Sequence, residues 1–195
     1  LDVGANKGQY AHDLRRRGWN GQIVSFEPTS DAYDLLVAAC ARDLKWTPAR
    51  RAAIGSERGR AQINIAENLV SSSLLEINER SIQIEPGVRF KNKEEIDVIP
   101  LDDIINPEWL GPYAIKVDTQ GFEIEVLKGA KNTLRNTKVI QLEASLYPVY
   151  KETPDIGEIF HLMRGLNFRA ISIVEGFSDT AVNEMLQVDL TFVAN

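Results

Sequence analysis

The stretch "LDVGANKGQY" (Leu1–Tyr10) decides how the rest of the chain is read. Leu1, Asp2 and Val3 read as the end of a buried strand. Gly4 lets the chain turn sharply after it, and Gly8 opens a helix where a side chain would obstruct close approach. Such a strand–turn–helix presents backbone N–H groups and a helix N-terminus to a ligand. The spacing is G-x-x-x-G. It is neither the G-x-G-x-x-G of a dinucleotide pyrophosphate loop nor a P-loop with its lysine and serine. Asp2 adds a negative charge, which disfavours a pyrophosphate and favours a cationic group. So little chain precedes the turn that the first strand is expected to have lost its beginning.

Working outward, short apolar runs alternate with helical stretches, the pattern of an α/β fold with a mainly parallel sheet. "QIVSFEP" (Gln22–Pro28) is a strand closed by Glu27 and a proline. Glu27 stands where an acid at the end of the second strand chelates ribose hydroxyls. Ser30 is the expected N-cap of the helix in "DAYDLLVAACARDL", and "WTPARRAAIG" reads as a third strand ending at Gly55. Residues roughly 56 to 100 interrupt the alternation and read as an insertion over the sheet, partly β and partly loop. "YAIKVD" then ends a strand at Asp118, a helix follows, and "KVIQLEAS" is a strand ending in Glu143. "DIGEIFHLMRGL" is an amphipathic helix with Gly165 as its C-cap. "FRAISIV" and "EMLQVDLTFVA" are too close in sequence for a crossover helix, so they pair antiparallel. With no repeat, linker or low-complexity tract, residues 1–195 read as one domain.

Bulk composition narrows the function classes. The chain is 44% apolar and 26% charged, as in an ordinary globular protein, with a net charge of −6. An acidic balance argues against a nucleic-acid surface, and Arg15–Arg17 and Arg50–Arg51 read as solvated faces. No stretch is apolar enough to span a membrane, and Cys40, the only cysteine, is expected to be buried packing. A cytoplasmic location fits both. His12 and His161 read as surface or packing residues. No set of histidines and cysteines at ligand spacing points to a metal site, and a carboxylate magnesium site on Asp118 and Glu143 is the weaker reading.

Taken together, "LDVGANKGQYA", "IVSFEP", "SSSLL", "IKVDTQGFEIEVLKGA" and "IQLEAS", in this order, resemble the FkbM family of S-adenosylmethionine-dependent methyltransferases. The resemblance runs over essentially the whole chain. It implies a class I methyltransferase fold: a Rossmann-like three-layer sandwich around a seven-stranded, mostly parallel sheet with a C-terminal antiparallel hairpin. Position by position, Asp2, Gly4, Asn6 and Gly8 match the first cofactor motif, with the acid facing the methionine end. Glu27 matches the ribose acid, Ala53 and Ile54 fall beside the adenine, and Asp118 matches the methyl-transfer motif. Ser71–Ser73 match a serine-rich element. In two places the chain departs from the family: Gln120 stands where many members carry glutamate, and Pro100 where threonine is frequent, so no catalytic role is placed on Gln120.

The resemblance implies O-methylation of a hydroxyl, on a sugar of a glycan or glycolipid or on a polyketide-type product, with S-adenosylmethionine as cofactor. A hydroxyl acceptor needs a base as the new bond forms. Asp118 is the first candidate and Glu143 the second. Tyr147, Tyr150 and Trp109 are either acceptor-pocket walls or plain packing. The competing readings are a nucleoside-binding domain without turnover and, disfavoured by the glycine spacing and Asp2, an NAD-dependent oxidoreductase.

Overall fold

The computed structural model describes residues 1–109 and 111–195. β1 (Asp2–Val3) passes through the glycine turn into α1 (Gln9–Arg16), and β2 (Ile23–Phe26), α2 (Ser30–Cys40) and β3 (Trp46–Pro48) repeat the unit. Next come β4 (Ala53–Ile54), β5 (Gly59–Ala66), α3 (Glu79–Ile84), a 3-10 turn (Pro86–Val88) and β6 (Phe90–Ile99). α4 (Leu101–Ile104), β7 (Tyr113–Val117), α5 (Glu123–Lys128), α6 (Lys131–Arg135), β8 (Thr137–Ser145) and α7 (Ile156–Gly165) restore the alternation. β9 (Phe168–Glu175), a small ladder of β10 (Ser178–Asp179) with β11 (Glu184–Met185), and β12 (Gln187–Ala194) follow.

The main sheet has seven strands in the order β3-β2-β1-β7-β8-β12-β9. All neighbours run parallel except β12, which lies antiparallel between β8 and β9. This is the class I methyltransferase architecture, with its C-terminal antiparallel pair where the sequence placed it. One face is packed by Val126, Leu127, Leu134, Ile159 and Met163 from α5, α6 and α7. On the other, Ala11 of α1 and Leu36 and Cys40 of α2 cover Ile23 and Trp46. Burial of these side chains drives the three layers together.

A second sheet, in the order β4-β6-β5, stands beside the first. It corrects the expectation of one continuous third strand ending at Gly55. Pro48 has no N–H for a ladder, and Ala49 donates its own to Ser25, which closes β3. Arg50 and Arg51 then turn outward to Asp97 and Glu94, and the chain re-enters as β4 beside β6. Two helix ends also differ from expectation. Thr29, not Ser30, is the N-cap of α2: Thr29 is still extended (φ −78°, ψ 140°), and Ser30, already in the helix, directs its N–H and hydroxyl to Glu94. α7 runs to Gly165, but the left-handed residue that follows it is Asn167 (φ 65°). Among the described residues no helix is long and apolar enough to cross a membrane.

Candidate active site

The carboxyl ends of β1, β2, β4 and β7 open onto a cleft of about 310 Å³, where ligands bind in open α/β sheets. Gly4, Asn6, Glu27, Ala53, Ile54 and Asp118 all line it, so six of the eight expected cofactor positions meet at one place. Leu69, Val70, Ser72 and Leu74 from the segment after β5 form a wall over it.

Asp2 and Gly8 lie outside that lining. Asp2 is 1% exposed and sits under the floor, where its Oδ2 accepts from the Ser25 hydroxyl at 3.1 Å. Its Oδ1 is buried without a hydrogen-bond partner and lies 3.9 Å from the Lys116 ammonium. Asp2 therefore does not face the cleft and is linked to it only through Lys116. Burial pushes its pKa up. Gly8 is needed by the protein itself. It adopts φ 89°, and a Cβ there would collide with the Trp46 ring and crowd Leu36. At Gly4, with φ 77°, a Cβ would strike the carbonyl of Asp118. The two glycines thus let the turn close onto β7 and α1 close onto β3.

Glu27 is 5% exposed and fixes the loop that it borders. Its Oε2 accepts from the N–H of Asn6 at 2.9 Å, and its Oε1 from the N–H and hydroxyl of Thr29. Burial raises its pKa despite those bonds. Asn6, left-handed at φ 48°, donates from Nδ2 to the carbonyl of Leu69 at 3.3 Å and so ties the glycine turn to the overlying wall.

Strand period places the acids. Asp2, Lys116 and Gln141 are register partners across β1, β7 and β8, and their side chains share one face of the sheet. Two residues further on, Glu143 of β8 is opposite Asp189 of β12. Lys116 reaches Asp118 Oδ2 at 3.0 Å and lies 5.5 Å from the centre of the Tyr10 ring. Burial alone would lower its pKa, but the charges of Asp118 and Asp2 more than reverse that, so it stays an ammonium. Asp118 Oδ1 accepts from Gln120 Nε2 at 2.6 Å. The same nitrogen reaches Glu143 Oε2 at 2.9 Å, which also accepts from Gln187 Nε2 at 2.8 Å. Glu143 is pushed well above the usual carboxylate range, by burial first and then by the negative charge of Asp118. It stands just behind the cleft wall, one hydrogen bond beyond Gln120.

Several of these partners carry no role in the sequence reading. Lys116, Asp189 and Gln141 line the cleft with Asp118, and Gln120, read as a catalytic dead end, joins the two candidate acids. The signal for Lys116 and Asp189 was there: each is the one charged residue of its strand, in "YAIKV" and "QVDLTFVA". Tyr150 is 1% exposed and bonds to Gln120. Tyr147 lies under Arg80 and Trp109 packs edge-on to Phe26. The described residues hold no group of three metal-ligating side chains.

Comparison with known proteins shows the family to which the chain belongs. The family model described as "Methyltransferase FkbM domain" matches residues 2–170. "Methyltransferase sdnD" of Sordaria araneosa is 27% identical over 152 residues, covering 66% of this chain and 59% of that protein. The chain thus spans under two thirds of that relative's length. Sp1610 of Streptococcus pneumoniae, named for tRNA (m1A22) methylation, has been solved with S-adenosyl-L-methionine and without it. Against the complex the TM-score is 0.55 at 14% identity, covering 100% of this chain and 65% of that one. Without the ligand it is again 0.55, at 15% identity, covering 100% and 63%. At such identities the likeness is one of fold. The chain belongs to the FkbM family of S-adenosylmethionine-dependent methyltransferases.

Proposed function

We propose that the chain methylates a hydroxyl, with a sugar of a glycan or glycolipid as the leading acceptor and a polyketide-type product as the second. One observation carries the reading. Asp118 lines the cleft, and through the Gln120 amide nitrogen it is joined to a second acid just behind the wall, Glu143, whose proton affinity burial raises, as a base requires.

S-adenosylmethionine supplies an electrophilic methyl group on a cationic sulfonium, and the chain's residues suit that charge. Asp2, Asp118, Glu143 and Asp189 surround a single ammonium, Lys116, leaving a local excess of negative charge. Gly4, Asn6, Glu27, Ala53, Ile54 and Asp118 are the residues that would hold the cofactor, with Asp2 acting from beneath. Between the two acids, Glu143 is the better base. Both oxygens of Asp118 are engaged, by Lys116 and by Gln120. Glu143 uses only Oε2 in hydrogen bonds among the described residues, so Oε1 is the oxygen that a proton leaving the cleft would reach. Asp118 holds Lys116 in place and shapes the cleft.

An acidic chain whose Arg50 and Arg51 are already paired with Asp97 and Glu94 favours a neutral acceptor over a nucleic acid. The test runs in two steps. S-adenosylmethionine at about 100 times its Kd should stabilise the fold by about 2.7 kcal/mol, whereas NAD should not. Labelled methyl transfer is then screened on glycans, glycolipids, polyketides and tRNA. Label on a sugar or polyketide hydroxyl supports the proposal, and label confined to tRNA overturns it.

A further inference from the structure

Gln120 is held more tightly than a surface amide needs to be. Its backbone is left-handed at φ 56°, a conformation that persists only where the surroundings enforce it. The Ser73 hydroxyl donates to its carbonyl at 2.7 Å. Its side-chain Oε1 lies 2.6 Å from the hydroxyl of buried Tyr150, whose oxygen is also 3.1 Å from the Ser71 carbonyl. Ser73 in turn is locked to β5, since Asn64 and Ser73 exchange both backbone hydrogen bonds and Asn64 Nδ2 adds a third to the Ser73 carbonyl. The serine-rich segment thus leads to Gln120 from one side and Tyr150 from the other.

The amide has two ends and only one useful direction. With Oε1 taken by Tyr150, Nε2 must face Asp118 and Glu143, and its two N–H groups serve one carboxylate each. Turned round, the oxygen would oppose two acids. We propose that Gln120 is a positioning residue, which Tyr150 and Ser73 orient so that its Nε2 bridges Asp118 and Glu143 and tunes Glu143 as a base. The inference rests on the base reading above. Glutamate at this place would set a third carboxylate against the other two, where glutamine supplies two donors.

Glu143 faces Asp118 and Lys116 at β7, Asp189 on β12 and Glu123 on α5, with Gln120 and Gln187 as donors. A donated N–H stabilises its charged form, so losing that bond raises its pKa. The test needs no acceptor. Protein labelled with carbon-13 at the glutamate side-chain carboxyls is titrated by NMR, and the Glu143 signal is identified by its loss in Glu143→Gln. Tyr150→Phe should move the Glu143 midpoint upward by about one pH unit, the size expected from weakening one charged hydrogen bond. Gln120→Met, which keeps the volume without the donor, should move it at least as far. The double variant should move it no further than Gln120→Met alone, because Tyr150 acts through the amide. Melting and S-adenosylmethionine affinity are measured on each variant. Midpoints that coincide with wild type in folded Gln120→Met or Tyr150→Phe would overturn the proposal. Should Tyr150→Phe not fold, Gln120→Met decides. Normal methylation by Glu143→Gln would instead sink the base reading and leave the titration result standing.

Discussion

Gly4 and Gly8 answer different needs, and substitution should separate them. Both have positive φ, so alanine costs about 1–3 kcal/mol in backbone strain at either position. At Gly8 the new methyl meets the Trp46 ring, which has some room to turn, whereas at Gly4 it meets a backbone carbonyl that has none. Gly4→Ala should therefore be the more destabilising of the two in denaturant melts, and equal losses would contradict this placement. The acids separate as well. Glu143→Gln should lower methyl transfer by ~10²–10⁴-fold with S-adenosylmethionine binding intact. Asp118→Asn should weaken cofactor binding too, because it loosens Lys116, and calorimetry alongside turnover distinguishes the two effects. At this scale Gly4, Asn6, Glu27 and Asp118 were legible because each sits at the end of a strand or in the turn after it. The true position of Asp2 was not, since only register with Ser25 and Lys116 shows which way it faces.

The element with most leverage over the cleft is the segment following β5. Asn64, 2% exposed, binds the carbonyls of Ser73 and Leu75 through its amide. Asn64→Ala takes this donor from the Leu75 carbonyl, while the Ser73 carbonyl keeps the Asn64 backbone N–H, a loss of about 1 kcal/mol. In a chain of 195 residues that is a fall of about 2–4 °C in Tm for each kcal/mol. It should also weaken cofactor affinity, because the loosened segment carries Leu69, Ser72 and Leu74 on the cleft wall. A fall in Tm at unchanged affinity would show that the wall is held by other contacts. The alternation of strands and helices was readable because the apolar runs have clear periods. The second sheet was not, since β4 is only two residues long and its partner β6 lies far along the chain. Nothing local in "ARRAAIG" marks the change of sheet.

For the whole molecule, buried acids set the response to pH. Asp2, Glu27, Glu123 and Glu143 are all raised, chiefly by burial, and Glu123 is pushed up to about 7 from 4.5. A carboxyl with a raised folded pKa holds its proton more tightly when folded. Its stabilisation is complete below the unfolded pKa and is lost as pH climbs through the folded one. For Glu123 the window runs from pH 4.5 to about 7, with a loss on the order of 3 kcal/mol at most. Melts should show stability declining from pH 5 to pH 8. Glu123→Gln, which keeps an oxygen to accept from Thr119 and Gly121, should flatten that decline. An unchanged slope would place the titration elsewhere. Burial of this kind follows from packing at the carboxyl edge of the sheet, so the sequence supplied the acids but not their proton affinity.

A chain of bonds beneath the cleft has an optical consequence. The Trp46 indole donates to the Ser25 hydroxyl at 2.9 Å, and Ser25 donates to Asp2. Trp46 is 4% exposed, whereas Trp19 is half exposed. The indole is thereby wired to the charge under the cofactor loop, and its emission should respond when a cationic ligand settles above Asp2. With Trp19 and Trp109 replaced by phenylalanine, the protein would carry its own fluorophore, able to follow cofactor arrival and departure in stopped flow without any label.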